Sequence, residues 1–250
     1  RSGSPALPTK TMSKDTASVT PKKKKRAGKI VLRVLCIFLC VLVVFIGVTT
    51  IISVIGNQAN TKKAQSFAAT EYDNQRKPVL DADGTWTFTT DEDFKILQLT
   101  DIHIGAGWMC LKKDSMVLNA IAAMVTAEKP DLVIVTGDVA YPVPFQAGTF
   151  NNKSSAKIFA ALMEKLGVYW TLAFGNHDTE AYSYFSREDM GDFYEGLTSE
   201  YCLFHKGPED VDGVGNQIIN IQNSAGYITQ SLYLFDSHSY TDNDWFGILW

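Results

Sequence analysis

The residues able to do chemistry sit at three sharp boundaries between apolar and polar sequence. Leu97-Gln98-Leu99-Thr100 stops at Asp101, and His103 follows two residues later. Leu132-Val133-Ile134-Val135-Thr136 stops at Gly137-Asp138. Tyr169-Trp170-Thr171-Leu172-Ala173-Phe174 stops at Gly175-Asn176-His177-Asp178. Asp101 and Asp138 are 37 positions apart, and Asp138 and Asn176 are 38 apart. Each interval accommodates one strand-helix-strand unit, which needs about 30 residues. Parallel strands connected in this way deliver the groups at their carboxyl ends to one crevice. Asp101, His103, Asp138, Asn176, His177 and Asp178 are therefore expected to meet. The set offers oxygen and imidazole donors, with no serine or cysteine nucleophile, and suits two hard or borderline cations. Each residue has a plainer alternative. An aspartate after a strand commonly caps the next element. A single histidine is often half-buried with one hydrogen bond, and His177-Asp178 alone would be an ion pair.

Taken in order, Asp101-x-His103, Gly137-Asp138 and Gly175-Asn176-His177-Asp178 resemble the first three motifs of the calcineurin-like metallophosphoesterases. Gly207-Pro208-Glu209-Asp210-Val211-Asp212-Gly213-Val214-Gly215-Asn216, followed by Leu232-Tyr233-Leu234-Phe235-Asp236-Ser237, is similar to one subgroup. That subgroup holds fungal cell-cycle-regulator phosphatases and plant purple-acid-phosphatase-like proteins. The resemblance implies hydrolysis of phosphomono- or diesters at two divalent or trivalent metal ions (Mn, Fe or Zn). It implies that Asp138 bridges the metals, that Asp101 and His103 hold the first, and that Asn176 holds the second. It further implies that His177 faces the phosphate and donates to the leaving oxygen, with Asp178 orienting it.

The carboxyl end departs from the family pattern. The family completes its site with three further histidines, the last two in Gly-His-x-His. Only His205 and His238 follow His177, and neither lies in such a motif. The chain is thus expected to be a fragment that stops before those ligands. The competing expectation is a degenerate domain that serves as a surface binding module. Gly137-Asp138-x-x-Tyr141 also resembles the true purple acid phosphatases, where the tyrosine binds ferric iron. Those proteins have Asp-x-Gly where this chain has Asp101-x-His103. His103 is expected to fill the coordination position, which leaves Tyr141 as a packing residue or pocket wall.

The elements that must position these residues are legible around them. The expected architecture is α/β, a β-sandwich flanked by helices and preceded by one transmembrane helix. Residues 94–100 read as the first core strand. Val117, Leu118, Ile121, Met124 and Val125 recur at helical spacing, so residues 115–128 read as a helix with Asp114 as its N-cap and Pro130 as its stop. Ile158, Phe159, Leu162 and Leu166 repeat the pattern, and Gly167 closes that helix. A third helix is expected over 182–195, and strands over 217–221 and 228–235. Asp81-Ala82-Asp83-Gly84 marks a turn between two short strands, a small hairpin.

Composition sets the remaining bounds. At 250 residues, with 46% apolar and 12% aromatic residues, the chain can bury one large core. Its net charge of −4 hides an asymmetry. Residues 1–33 carry ten Lys/Arg and one Asp, a charge of +9, and the other residues carry −13. The acidic part would repel a phosphate backbone, so no nucleic-acid partner is expected. The 22 residues 34–55 carry no charge. That is enough helix to cross a hydrocarbon core of about 30 Å. A cleaved signal peptide would have a shorter apolar region of about 7–15 residues and an Ala-x-Ala-like site. The expected organisation is a basic disordered cytoplasmic tail over 1–29 and an anchor over 30–55. A stalk and hairpin over 56–93 and a metallophosphoesterase domain over 94–250 follow. The basic cluster Lys22-Lys23-Lys24-Lys25-Arg26 would stay cytoplasmic and the domain would face outward. The four cysteines, Cys36, Cys40, Cys110 and Cys202, define no disulfide framework.

Overall fold

A computed structural model describes Gly3 and residues 22–240 of the chain. Most of the expected tail, and residues 241–250, lie outside the described residues. Contact density divides the chain into two units, Arg1–Ile46 and Gly47–Trp250. The first described element is helix α1, Lys22–Ser66. The end of the expected tail is therefore helical. Lys, Arg and Ala are good helix formers, and a helix nucleated in the apolar run extends through them at little cost. Within α1, Gly28–Ser66 is one helix long and apolar enough to cross a membrane.

The second unit is built on two sheets. Strands β3 (Ile96–Leu99), β4 (Leu132–Thr136) and β5 (Trp170–Ala173) form a parallel sheet in the order β3-β4-β5. The crossovers are α2, Leu111–Glu128, and α3, Asn152–Leu166. Strands β1 (Val79–Leu80), β2 (Trp86–Thr89), β6 (Gln217–Gln222) and β7 (Ile228–Leu234) form the second sheet, in the order β1-β2-β6-β7. Alternation along β4 shows how the layers stack. Val133 and Val135 join the core made with Leu118 and Ile121 of α2 and Phe159 and Leu162 of α3. Leu132 instead joins Phe88 of β2 and Ile219 of β6 in a second core, with Ile134 packed against it. The three-stranded sheet is thus buried on both faces, by helices on one side and by the other sheet on the opposite side. Such strands read as continuous apolar runs. Helix α4, Arg187–Glu195, adds Met190 and Tyr194 to the helical core.

Four expectations need correction here. The hairpin of β1 and β2 is not an appendage, because β2 pairs in parallel with β6, Trp86 opposite Ile219. That pairing bridges more than a hundred residues, and no local pattern announces it. The domain therefore begins before residue 94.

Residues 56–77 are not a free stalk but an arm laid on the domain. Asn57 Nδ2 donates to Ala106 O at 2.8 Å, and Lys63 Nζ donates to Ser115 O at 2.8 Å. Tyr72 Oη donates to Pro130 O at 2.9 Å, and Gln75 Nε2 to Gly167 O at 2.7 Å. The last two contacts satisfy carbonyls just past the ends of α2 and α3, where helix geometry leaves acceptors unpaired.

Asp114 does not cap α2, which starts earlier, at Leu111. Its buried carboxylate instead accepts from the backbone N–H groups of Gly105 and Ala106 at 3.0 and 2.9 Å. The third helix is shorter than 182–195. It starts only after Ser186, whose side chain accepts from Asp189 N while Asp189 accepts from Ser186 N, a capping box.

Candidate metal centre

Because β3, β4 and β5 run parallel, their carboxyl ends open onto one edge. The loops after β3 and β4 stay paired beyond the strands. Asp101 N donates to Gly137 O at 3.2 Å, and His103 N donates to Asp138 O at 2.9 Å. The backbone turns sharply at each chemical residue. Asp101, His103 and Asp138 all have positive φ, of 50°, 53° and 58°. L-residues in that region carry a strain of about 1–2 kcal/mol each. Backbone strain of this kind clusters at functional sites. The glycines allow the loops to approach. A Cβ on Gly137 would stand 2.9 Å from Gly175 Cα, and one on Gly175 would stand 2.1 Å from Asp138 Oδ1.

His103, Asp138 and His177 each aim a donor atom into one space, all within 4.8 Å of one another. His103 Nε2 lies 3.5 Å from Asp138 Oδ2 and 3.7 Å from Asp101 Oδ1. It is buried and, among the described residues, has no partner at hydrogen-bonding geometry. The Asp138 carboxylate beside it pulls the His103 pKa above its ordinary value, against the effect of burial. Burial opposes charge on Asp138 too, but the His103 ring and the His177 N–H outweigh it and hold the carboxyl low. An orphaned nitrogen facing two carboxylates is what a cation would resolve, and the oxygen and imidazole set fits Mn, Fe or Zn.

Asn176 Nδ2 donates to Tyr240 Oη at 2.7 Å, and among the described residues its Oδ1 makes no hydrogen bond. Asp101 is exposed, and Thr100 Oγ1 donates to its Oδ2 at 2.7 Å.

The expected contact between Asp178 and the His177 ring is not made. Asp178 is buried below the loops. Its two oxygens accept from Asp138 N (2.9 Å), Ala140 N (2.8 Å) and Gly175 N (2.9 Å). Its position puts it under the backbone, because the 3-10 turn His177–Thr179 points adjacent side chains in different directions. The group that holds His177 is Glu180, whose Oε1 is 2.7 Å from Nδ1. Sequence reasoning missed it. The signal was the spacing of three, which puts both side chains on the same face of a 3-10 turn. Tyr240 also donates to Glu180, at 2.9 Å. Arg187 was missed as well. It bonds Asp236 and donates to Gly175 O at 3.0 Å, tying the third loop to the end of β7.

Tyr141 forms a wall of the site. Its ring stacks on His103 at 4.4 Å and meets His177 edge-on at 4.7 Å. It packs on both imidazoles. In a metal-loaded protein, Tyr141→Phe is expected to leave metal content unchanged, and no visible tyrosinate-to-iron band should be present to lose. A coloured protein that bleaches in this variant would assign Tyr141 as a ligand.

His205 and His238 take no part in the cluster. His205 stacks on Trp86 at 6.0 Å, and His238 Nε2 lies 3.3 Å from Asp212 Oδ2. Cys110 and Cys202 are both free thiols.

Comparison with known proteins identifies a family. The calcineurin-like phosphoesterase family matches residues 94–248. "Probable inactive purple acid phosphatase 14" of Arabidopsis thaliana is 32% identical over 181 residues, covering 64% of this chain and 43% of that protein. "Phosphatase DCR2" of Saccharomyces cerevisiae is 30% identical over 171 residues, covering 61% of this chain and 28% of that protein. "Probable inactive purple acid phosphatase 28" of Arabidopsis thaliana is 24% identical over 179 residues, covering 63% and 43%. The chain spans less than half the length of these relatives. No solved structure matches significantly.

Proposed function

The chain belongs to the calcineurin-like phosphoesterase family, and from that premise we propose that it hydrolyses phosphate esters at a dinuclear metal centre. The observation that carries this reading is the convergence of His103, Asp138 and His177 at the ends of three parallel strands. Two cations held there would neutralise a phosphate ester and lower the pKa of a water. In this reading Asp138 would be shared by both metals, Asp101 and His103 would hold one, and Asn176 would hold the other. His177 carries a proton to the leaving oxygen. A carboxylate can only accept, so Glu180 holds a hydrogen on Nδ1 both in the imidazolium, which would give its Nε2 proton to the leaving oxygen, and in the neutral ring left behind. Asp178 acts on the backbone of both loops.

The test is metal analysis on a protein extended to the length of its relatives. Hydrolysis of p-nitrophenyl phosphate and of its bis ester is measured alongside. Stoichiometric metal with turnover supports the reading, and metal-free protein would sink it. A second reading, a domain that binds without turnover, is favoured by the words "probable inactive" in the names of two relatives. Bound metal with no hydrolysis of either ester would select it.

The role given to Glu180 has its own expected outcome. Glu180→Gln should lower turnover by about 10–100-fold, the usual range for a group that orients a reacting one, with metal content intact. His177→Ala should cost more rate. If His177→Ala instead loses metal, His177 is a ligand rather than the proton donor.

We also propose that residues 34–55 anchor the chain in a membrane, with the basic cluster cytoplasmic and the domain outward. The support is the uncharged run and its one-sided Lys/Arg flank. Protease added outside intact cells is expected to digest the chain beyond residue 55. Protection of that region would reverse the orientation. Release of a shortened soluble protein would replace the anchor with a signal sequence.

A further inference from the structure

The end of the apolar run is not separate from the domain. Residues 47–55 belong to the same compact unit as the metal centre. Ser53, in the last turn of the run, is 8% exposed, and its Oγ accepts from Trp108 N at 2.9 Å. One turn further on, a Cβ on Gly56 would overlap the Leu111 side chain, and Asn57 bonds Ala106 O. The loop that follows His103 is thus held against α1 where the apolar run ends.

A second loop is locked to the first. Met109 N donates to Ala147 O at 3.1 Å, and Cys110 Sγ lies 3.4 Å from Gln146 O. Gly148 admits the Trp108 indole, which a Cβ would meet at 2.3 Å. This second loop turns tightly, with Gln146 N and Ala147 N both donating to Val143 O. At its tip Phe145 is 90% exposed, and Met109 on the first loop is 47% exposed. At the end of the apolar run Ile51, Ile52, Val54 and Ile55 of α1 are also exposed.

The charge pattern follows the same surface. Residues 139–150 carry no charge, and residues 102–113 carry only Lys112 and Lys113. Both lysines are exposed. Elsewhere the chain after residue 33 is strongly acidic.

We propose that the loops around Met109 and Phe145 form a seat that enters the membrane interface beside the last turn of the apolar run. This seat rests on the reading of residues 34–55 as a span. If Ser53 is at the boundary of the hydrocarbon, Trp108, bonded to it, lies at the headgroup level. Trp is enriched there because its ring is apolar and its N–H is polar. Phe145 and Met109 then bury apolar surface in the headgroup and acyl boundary, a depth of about 5–10 Å. Lys112 and Lys113 are placed to meet lipid phosphates. A protein partner is a weaker fit, because the loop carrying Met109 is bonded through Trp108 N to Ser53 of the span itself. The seat bears on the chemistry, since the two loops start at His103 and Tyr141, which stack on each other. A seated domain would hold its metal centre in a fixed relation to the bilayer.

The experiment uses the full chain in phosphatidylcholine vesicles that contain a phosphatidylcholine with a photoactivatable diazirine high on its acyl chain. After irradiation, lipid adducts are mapped by mass spectrometry. Adducts are expected on residues 34–55 and also on the peptides carrying Met109 and Phe145. Phe145→Asp, a change at an exposed tip, is expected to lose the loop adducts and keep those on the span. Adducts confined to residues 34–55 would overturn the seat and leave the anchor standing. Absence of adducts from residues 34–55 would overturn the anchor, and the seat with it.

Discussion

Asp138→Asn is expected to abolish both tight metal binding and turnover in a form of the protein that shows them. Asp138 Oδ1 accepts from His177 N at 2.9 Å, and Oδ2 faces His103 Nε2 at 3.5 Å. One carboxylate therefore serves two loops. An asparagine can copy only one of its oxygens. If the amide oxygen keeps the bond to His177 N, the NH₂ group turns toward His103 and the cluster loses a ligand. If it turns the other way, two N–H donors face each other at His177. Neither orientation carries the negative charge that two cations need between them. Charge stabilisation by bound metal contributes several kcal/mol to a transition state, which corresponds to a loss of roughly 10²–10⁴-fold. The backbone conformation is not at issue, since asparagine adopts positive φ more readily than most residues. Metal content by mass spectrometry, set beside the thermal midpoint, separates loss of the site from loss of the fold. An Asp138→Asn protein that keeps two metals and its rate would remove Asp138 from the bridging position.

The parts of this site that sequence made legible are those fixed by strand order. An apolar run that stops at a polar residue marks a strand end. Two such gaps of strand-helix-strand length then bring Asp101, Asp138 and Asn176 to one edge, as the parallel order β3-β4-β5 does. What sequence could not give are contacts set by the direction of single side chains. His177 and Asp178 are adjacent, and adjacency suggested a partnership. In the 3-10 turn one points up at Glu180 and the other down at the backbone of Asp138 and Ala140. Asp114 was misjudged for a related reason. Its spacing before an apolar periodic run is that of a cap, yet α2 begins three residues earlier and turns the carboxylate onto Gly105 and Ala106. The arm over 56–77 was hidden because the face it lays on the domain mixes polar side chains, Asn57, Asn60 and Lys63, with a few apolar ones, Ala64, Phe67 and Tyr72, so no continuous apolar stripe marks it. The pairing of β2 with β6 was equally hidden, since parallel pairing across a long loop has no local turn signal.

Asp178→Ala is expected to destabilise the fold and remove the metal site together, an outcome unlike that of His177→Ala. Three buried N–H groups, on Asp138, Ala140 and Gly175, converge on the two Asp178 oxygens at 2.8–2.9 Å. Alanine leaves all three without a partner. A buried donor left unsatisfied costs about 1–3 kcal/mol, so the combined loss is on the order of 3–6 kcal/mol after partial relaxation. A domain has only about 5–15 kcal/mol in total. The carboxylate is not itself comfortable there. Burial pushes its pKa up to about 6, even though the three N–H groups favour the charged form. Asp178→Asn sheds that desolvation cost, and its amide oxygen can take the place of Oδ2 and keep the bonds to Asp138 N and Gly175 N. Its NH₂ then opposes Ala140 N, so one bond is lost and one repulsion gained. Asparagine should accordingly fall between wild type and alanine in urea midpoint. Were Asp178 simply the partner of His177, both variants would unfold at the wild-type midpoint, hold their metals and lose only rate. Denaturation curves for the two variants beside His177→Ala decide between these outcomes. If Asp178→Ala matches His177→Ala in stability and metal content, the two loops are held by something other than this carboxylate.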